Sequence, residues 1–187
     1  MQKIFRIIFF LIVGFVMMGL STPPKNYYNA TGEVSFISKA PLEVIEATSL
    51  SLQGILDRAT GEFAFSITIK SFEGFNSPLQ KEHFNEHYLE SALYPKSTYS
   101  GTLLGFKDCE TNCELKLNAK GKFMIHNITK VLIIPITFVK KEDKVSGKAD
   151  FDIKLEDFDI SIPKILESKI SPIIKVMVRV NFNIGNA

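Results

Sequence analysis

The stretch Cys113–Ile125, CELKLNAKGKFMI, alternates with a period of two: Leu115, Leu117, Ala119, Phe123 and Ile125 fall on one side, and Lys116, Asn118, Lys120 and Lys122 on the other. Successive side chains of an extended chain point to opposite faces, so the pattern predicts a β-strand with one dry face and one wet face. The same rhythm recurs along the chain. In GEFAFSITIK (61–70), Phe63, Phe65, Ile67 and Ile69 oppose Glu62, Ser66, Thr68 and Lys70. In KVSGKADFDIKLE (144–156), Val145, Ala149, Phe151, Ile153 and Leu155 oppose Ser146, Lys148, Asp150, Asp152 and Lys154. In IIKVMVRVNFNI (173–184), Ile174, Val176, Val178, Val180, Phe182 and Ile184 oppose Lys175, Arg179, Asn181 and Asn183. Nearer the N-terminus, SLSLQGIL (49–56) groups Leu50, Leu52 and Leu56, and GEVSF (32–36) pairs Val34 with Phe36. Two further strands are less regular: PKSTYSGTLLGF (95–106), which contains Tyr99, and KVLIIPITF (130–138), apolar on both faces.

These segments make about eight strands, separated by turn-forming residues at Asp57–Gly61, Asp108–Asn112 and Glu142–Lys144. The fold class is therefore all-β. Long antiparallel strands must hide their edges, and an eight-stranded up-and-down barrel does so while remaining just wide enough to be filled by side chains or to hold one small ligand. A two-sheet sandwich competes, but strands this long favour the barrel. Alternation breaks between Pro78 and Ala92, where Ser77 offers an N-cap and Pro78 a first helical residue. Leu79, Phe84, Tyr88 and Leu89 would then form one apolar stripe against the barrel or across one end. A second helical turn is expected over Pro163–Ser168.

The first 21 residues begin with Lys3 and Arg6, continue through the apolar run Ile7–Leu20 and end in small residues, the pattern of a secretory signal peptide cut after Ser21. The run falls short of the roughly 18 residues of a membrane-spanning helix, so no span is expected in the mature chain. A polar leader over 22–31 and a barrel domain over 32–187 complete the organisation, and the protein is expected in the periplasm or outside the cell. Loss of Lys3 and Arg6 takes the 22 basic residues to 20, against 20 acidic ones. A neutral mature chain has no footprint for nucleic acid or for an anionic membrane. Cys109 and Cys113 are the only cysteines; in an oxidising compartment they read as a disulfide candidate that would pin a hairpin tip, or as free thiols, and half a metal site is the weaker alternative.

Residues 83–87, HFNEH, spell the H-x-x-E-H zinc-protease pattern, with His83 and His87 one helical turn apart and Glu86 as a candidate general base. A catalytic zinc needs a third ligand, and the one other histidine, His126, lies in an unrelated turn. A zinc-dependent hydrolase is thus the least favoured reading. No Gly-x-Ser-x-Gly, phosphate-binding loop or second cysteine pair occurs, so neither an enzyme nor a cofactor or metal site is expected.

Two segments carry a family resemblance. GKFMIHNITKVLIIPITF (121–138) resembles the Gly-x-Leu-Thr-Ile-His-Gly-Val-Thr-Lys-x-Val segment of the YceI-like proteins, with Gly121, Ile125, His126, Thr129 and Lys130 in place and Asn127 where the family has Gly. EHFNEHYLESALYPKSTYSG (82–101) is similar to that family's His-Leu…Tyr-Pro-x-x-x-Phe segment through His83, Tyr94, Pro95 and Tyr99, although its Arg-Asp pair is absent. LEDFDISIP (155–163) before a long last strand adds to the likeness, which spans Thr31–Ile184. The resemblance implies a lipocalin-like barrel of the bacterial cell envelope, a non-catalytic carrier, store or sequestering protein that encloses a polyisoprenoid lipid or quinone tail. On that implication Phe63, Phe65, Ile67, Phe123, Ile125, Ile134, Ile136, Phe151, Val176 and Val178 line the tail, and His83 and Tyr88 meet the head group at one mouth. The residues alone favour a barrel packed solid by its own 16 Phe, a structural or interaction protein of the periplasm that docks through the 78–92 segment. A homodimer stays open in either case.

Overall fold

The structure, a computed structural model, describes residues 26–184. The expected signal peptide and the start of the expected leader lie outside them. Eight strands close into one antiparallel barrel in chain order: β1 (Tyr27–Lys39), β2 (Val44–Asp57), β3 (Glu62–Thr68), β4 (Lys96–Leu104), β5 (Cys113–Ile125), β6 (Ile128–Lys141), β7 (Lys144–Lys154) and β8 (Ile173–Ile184). Pairing of β1 with β8 from Tyr28↔Ile184 to Ser38↔Ile174 removes the last free edge. β5 shows why the alternation sets the wall: Lys116, Lys120 and Lys122 are exposed, while Ala119, Gly121 and Phe123 between them are buried.

Three expectations need correction. The leader read over 22–31 is not wholly outside the barrel, because β1 begins at Tyr27, with Tyr28 and Ala30 buried and Asn29 and Thr31 facing out. Leu50 does not join Leu52 and Leu56; it is 77% exposed. The register runs Gly32↔Leu52 and then Val34↔Ser49, so Leu50 and Ser51 together oppose Glu33 in a bulge that shifts the inward phase from Ile45, Ala47 and Ser49 to Leu52 and Leu56. The helix expected over Pro78–Ala92 is shorter: α1 (Pro78–His83) starts on the Ser77 cap, whose side chain accepts from Gln80 N, and passes into a π turn, Phe84–Tyr88. Leu79, assigned to its apolar stripe, is 57% exposed. The second helical turn is present as a 3₁₀ turn, Lys164–Leu166.

The barrel's two ends differ because two strand pairs part. At one end β2 pairs with β3 only over Gln53–Leu56, and β6 with β7 only over Ile136–Lys141. Beyond those points the strands diverge, and the long connections fill the wedges. Phe72, next to the 3₁₀ turn Ile69–Ser71, sits beside β2, which is bridged at Thr48↔Glu73. Ser71 Oγ lies 2.6 Å from Ser49 Oγ and 2.7 Å from Ser51 Oγ, tying that connection down. Phe158, in the 3₁₀ segment Leu155–Phe158, packs with Phe123 beside the β6–β7 wedge.

Candidate functional site

The inward side chains divide the barrel along its axis. At the end where β1 begins and β8 finishes, Tyr28, Leu56, Phe106, Phe138 and Phe182 form a solid plug; Phe138 is 1% exposed and its ring meets those of Tyr28, Phe106 and Phe182 at centroid distances of 6.3, 5.4 and 5.8 Å. Small residues leave room for it. A Cβ on Gly147 would lie 3.2 Å from the Phe182 ring. Below the plug, the Tyr28 hydroxyl donates to the Asp108 carboxylate, 2.9 and 3.1 Å from its two oxygens, and Arg58 Nε donates to Asp108 Oδ2 at 2.8 Å with its guanidinium carbon 4.9 Å from the centroid of the Tyr28 ring. Burial, reinforced by Asp108, pushes the Tyr28 hydroxyl up to about 12. The Cys109–Cys113 disulfide closes the β4–β5 connection at this end, with a Cα–Cα separation of 6.4 Å.

Toward the other end lies a cavity of about 520 Å³. All ten residues assigned to a tail line it: Phe63, Phe65, Ile67, Phe123, Ile125, Ile134, Ile136, Phe151, Val176 and Val178. His83 and Tyr88 line it as well, on the segment beside its mouth. The axis is therefore solid in one half and hollow in the other, and the fully packed barrel describes only the first. Sequence reasoning missed Phe36, Phe72, Phe75 and Phe84, which also face the cavity and pack on one another with centroids 5.0–6.0 Å apart. The signal that pointed to this cluster was the pair of rings in SFEGF (71–75), outside any regular alternation. Tyr99 was noted only as a strand residue. It faces inward, and its hydroxyl donates to Ala119 O at 2.7 Å, while burial raises it to about 12, so it remains a neutral wall group.

Polar groups gather at the mouth. Glu43 Oε1 accepts from Gln80 Nε2 at 3.1 Å and from Asn76 Nδ2 at 3.3 Å, fixing α1 against the β1–β2 turn. Burial raises the Tyr88 hydroxyl, which stays protonated and able to donate near neutral pH. His126 and Asn127 form the two-residue β5–β6 turn with φ of 51° and 60°, the left-handed backbone that Asn accommodates where the family motif has Gly. His126 Nδ1 donates to Phe158 O at 3.1 Å and its Nε2 lies 2.8 Å from Glu90 Oε2. The turn thereby holds both long connections over the wedge.

In the HFNEH segment the His83 and His87 rings lie 5.3 Å apart, centroid to centroid. His83 faces the cavity, while Glu86 and His87 are exposed on the π turn. No group of three His, Cys, Asp or Glu side chains placed to hold a metal occurs among the described residues. Nor is any helix among them long and apolar enough to cross a membrane.

A family model described as YceI-like domain matches residues 26–184. Among solved structures, a polyisoprenoid binding domain from Saccharophagus degradans superposes with a TM-score of 0.71 at 13% identity, covering 86% of this chain and 99% of that one. BcnA of Burkholderia cenocepacia gives 0.62 at 18% identity, covering 81% and 94%. The YCEI protein of Campylobacter jejuni gives 0.55 at 17% identity, covering 72% and 82%. At these identities the likeness establishes the shared barrel. No curated protein sequence matches the chain.

Proposed function

The chain belongs to the YceI-like family, and from that premise we propose that it is a non-catalytic carrier, store or sequestering protein that encloses the tail of a polyisoprenoid lipid or isoprenoid quinone. The observation that carries this is the cavity of about 520 Å³, walled by Phe, Ile, Leu and Val and plugged at one end. A water occupies about 30 Å³ of liquid. Taking a methylene as about that size, the hollow half takes about 15 to 20 carbons, or three to four isoprene units. At about 0.8 kcal/mol per buried CH₂, three such units gain on the order of 10 kcal/mol before ordering costs, enough for micromolar binding. The plug makes the cavity single-ended, so the tail enters first and the head group stays at the mouth beside His83 and Tyr88. The relative from Saccharophagus degradans, described as a polyisoprenoid binding domain, supports the ligand class. The signal-peptide pattern of residues 1–21 supports a site of action in the periplasm or outside the cell.

Native mass spectrometry of protein purified from its own cells, followed by solvent extraction, tests the proposal. A bound mass that resolves on extraction into a prenol or prenylated quinone is expected. Protein that is repeatedly empty, and whose thermal midpoint ignores added quinones and polyprenols, overturns it.

A further inference from the structure

We propose that the rim of the cavity mouth is a docking surface for a phospholipid bilayer, through which the cargo passes without crossing water; this rests on the cavity being a lipid site. Leu42 in the β1–β2 turn, Leu79 in the first turn of α1 and Ile165 in the turn Lys164–Leu166 are 73%, 57% and 84% exposed. Single exposed aliphatics are ordinary and call for no explanation. These three sit on three separate connections around one opening.

The β1–β2 turn and the strand ends beside it tie down the connections on either side. Leu42 N donates to Ser168 O at 2.9 Å, Asn76 Nδ2 donates to Val44 O at 2.9 Å, and Ser171 N donates to Ser38 Oγ at 2.9 Å. Leu79 also lines the cavity, as do Leu166 and Ile170 beside Ile165, so the apolar surface of the rim runs unbroken into the interior. The opposite end is less apolar: its connections Arg58–Gly61, Gly105–Asn112 and Glu142–Asp143 hold none of the exposed large apolar side chains, and Tyr27 and Leu104 at the adjoining strand ends are only 38% and 46% exposed.

Separate protruding tips suit a soft partner into whose headgroup and acyl boundary they can sink, about 5–10 Å deep. A rigid protein face would instead demand one contiguous complementary patch. Charge does not choose the partner, since Lys39, Lys164 and Lys169 share the rim with Glu82 and Glu167. The attraction is therefore apolar, and salt has little effect on it.

The test is co-sedimentation of the purified protein with phosphatidylcholine vesicles. The variant Leu42→Asn/Ile165→Asn is compared with Leu50→Asn/Ile133→Asn, which alters two exposed aliphatics on the barrel wall. The rim variant is expected to lower vesicle partition about tenfold or more, the wall variant to leave it unchanged, and added salt to change wild-type binding less than twofold (about). Binding of a water-soluble short-chain quinone without vesicles is measured alongside and is expected to be equal in all three proteins, showing that the rim variant is folded. Equal partition of the rim and wall variants overturns the proposal. So does wild-type protein that binds the quinone but ignores vesicles, or binding abolished by salt. A dimer that the rim variant dissociates also overturns it, because a second copy then covers the rim. Failure to bind the quinone at all brings down the cavity reading itself.

Discussion

The plugged end and the open end of this barrel are built from the same residue types, yet one is solid and the other hollow. At the plugged end, Tyr28, Phe106, Phe138 and Phe182 come from β1, the β4–β5 connection, β6 and β8 and meet across the axis. At the open end, Phe36, Phe72, Phe75 and Phe84 meet one another instead, in a cluster drawn from β1, the segment after β3 and the start of the π turn. The strand pairings account for the difference. Parting of β2 from β3 and of β6 from β7 widens the barrel there, and rings that would otherwise cross the axis are recruited to cover the wedges. Aromatic content alone thus does not separate a packed core from a ligand cavity; where the pairing stops does.

The largest expected contrast comes from making the same truncation in each half. Phe106→Ala removes a buried ring that packs on Phe138 and does not border the cavity, and is expected to cost about 3–5 kcal/mol in urea unfolding. Phe151→Ala removes a ring that already borders the void and gives up fewer dispersion contacts, so it is expected to cost about 2 kcal/mol or less. Equal costs would mean that the hollow half is filled in solution.

The hollow half is next sharpened by ligand. A prenylated quinone held at a hundred times its Kd is expected to raise stability by about 2.7 kcal/mol, read as a concentration-dependent rise in thermal midpoint. Ala149→Phe, placing a ring in the cavity wall, is expected to abolish that rise while leaving the unliganded midpoint within a few degrees. A full ligand shift in this variant would move the site elsewhere.

Smaller again is the disulfide. Cys109→Ser/Cys113→Ser opens a loop of sequence separation 4 and is expected to cost about 2 kcal/mol on the loop-entropy account. Because this loop caps the plugged end, ligand affinity measured by titration is expected to be unchanged.

How far these features were legible follows from which forces are local. β5, β7 and β8 could be read residue by residue because each has one wet face, and their alternation also placed five of the cavity-lining residues, Phe123, Ile125, Phe151, Val176 and Val178, on the inner wall. Tyr28 and Ala30 alternate with Asn29 and Thr31 as well, but the run is short and polar enough to pass for a leader. Leu50 was misplaced because a bulge is decided by the partner strand, here the two-residue step opposite Glu33, and leaves no mark on its own strand. The shortened α1 and the Phe36–Phe84 stack, 15° from parallel, depend on contacts between distant segments. Whether the axis was hollow was the least legible, since it is a difference between two volumes rather than a property of any residue.

The smallest effect is a pH window. Tyr28 in the plug and Tyr99 in the cavity wall are both raised to about 12, the first by burial and Asp108, the second by burial. Both are acids whose neutral form the fold favours, against an ordinary value of about 10. Their contribution is fully present below about pH 10; as pH climbs from there to about 12 the unfolded chain releases protons that the folded one retains, and stability falls. Tyr28→Phe is expected to cost about 1.5 kcal/mol at neutral pH for the lost bond to a carboxylate that Arg58 still holds. The variant should also lose stability less steeply with pH through that window, keeping the shares that belong to Tyr99 and Tyr88. Chemical denaturation at several pH values on both proteins checks this, and identical slopes would show that the Tyr28 hydroxyl is open to water, so that the end assigned as plugged is not sealed.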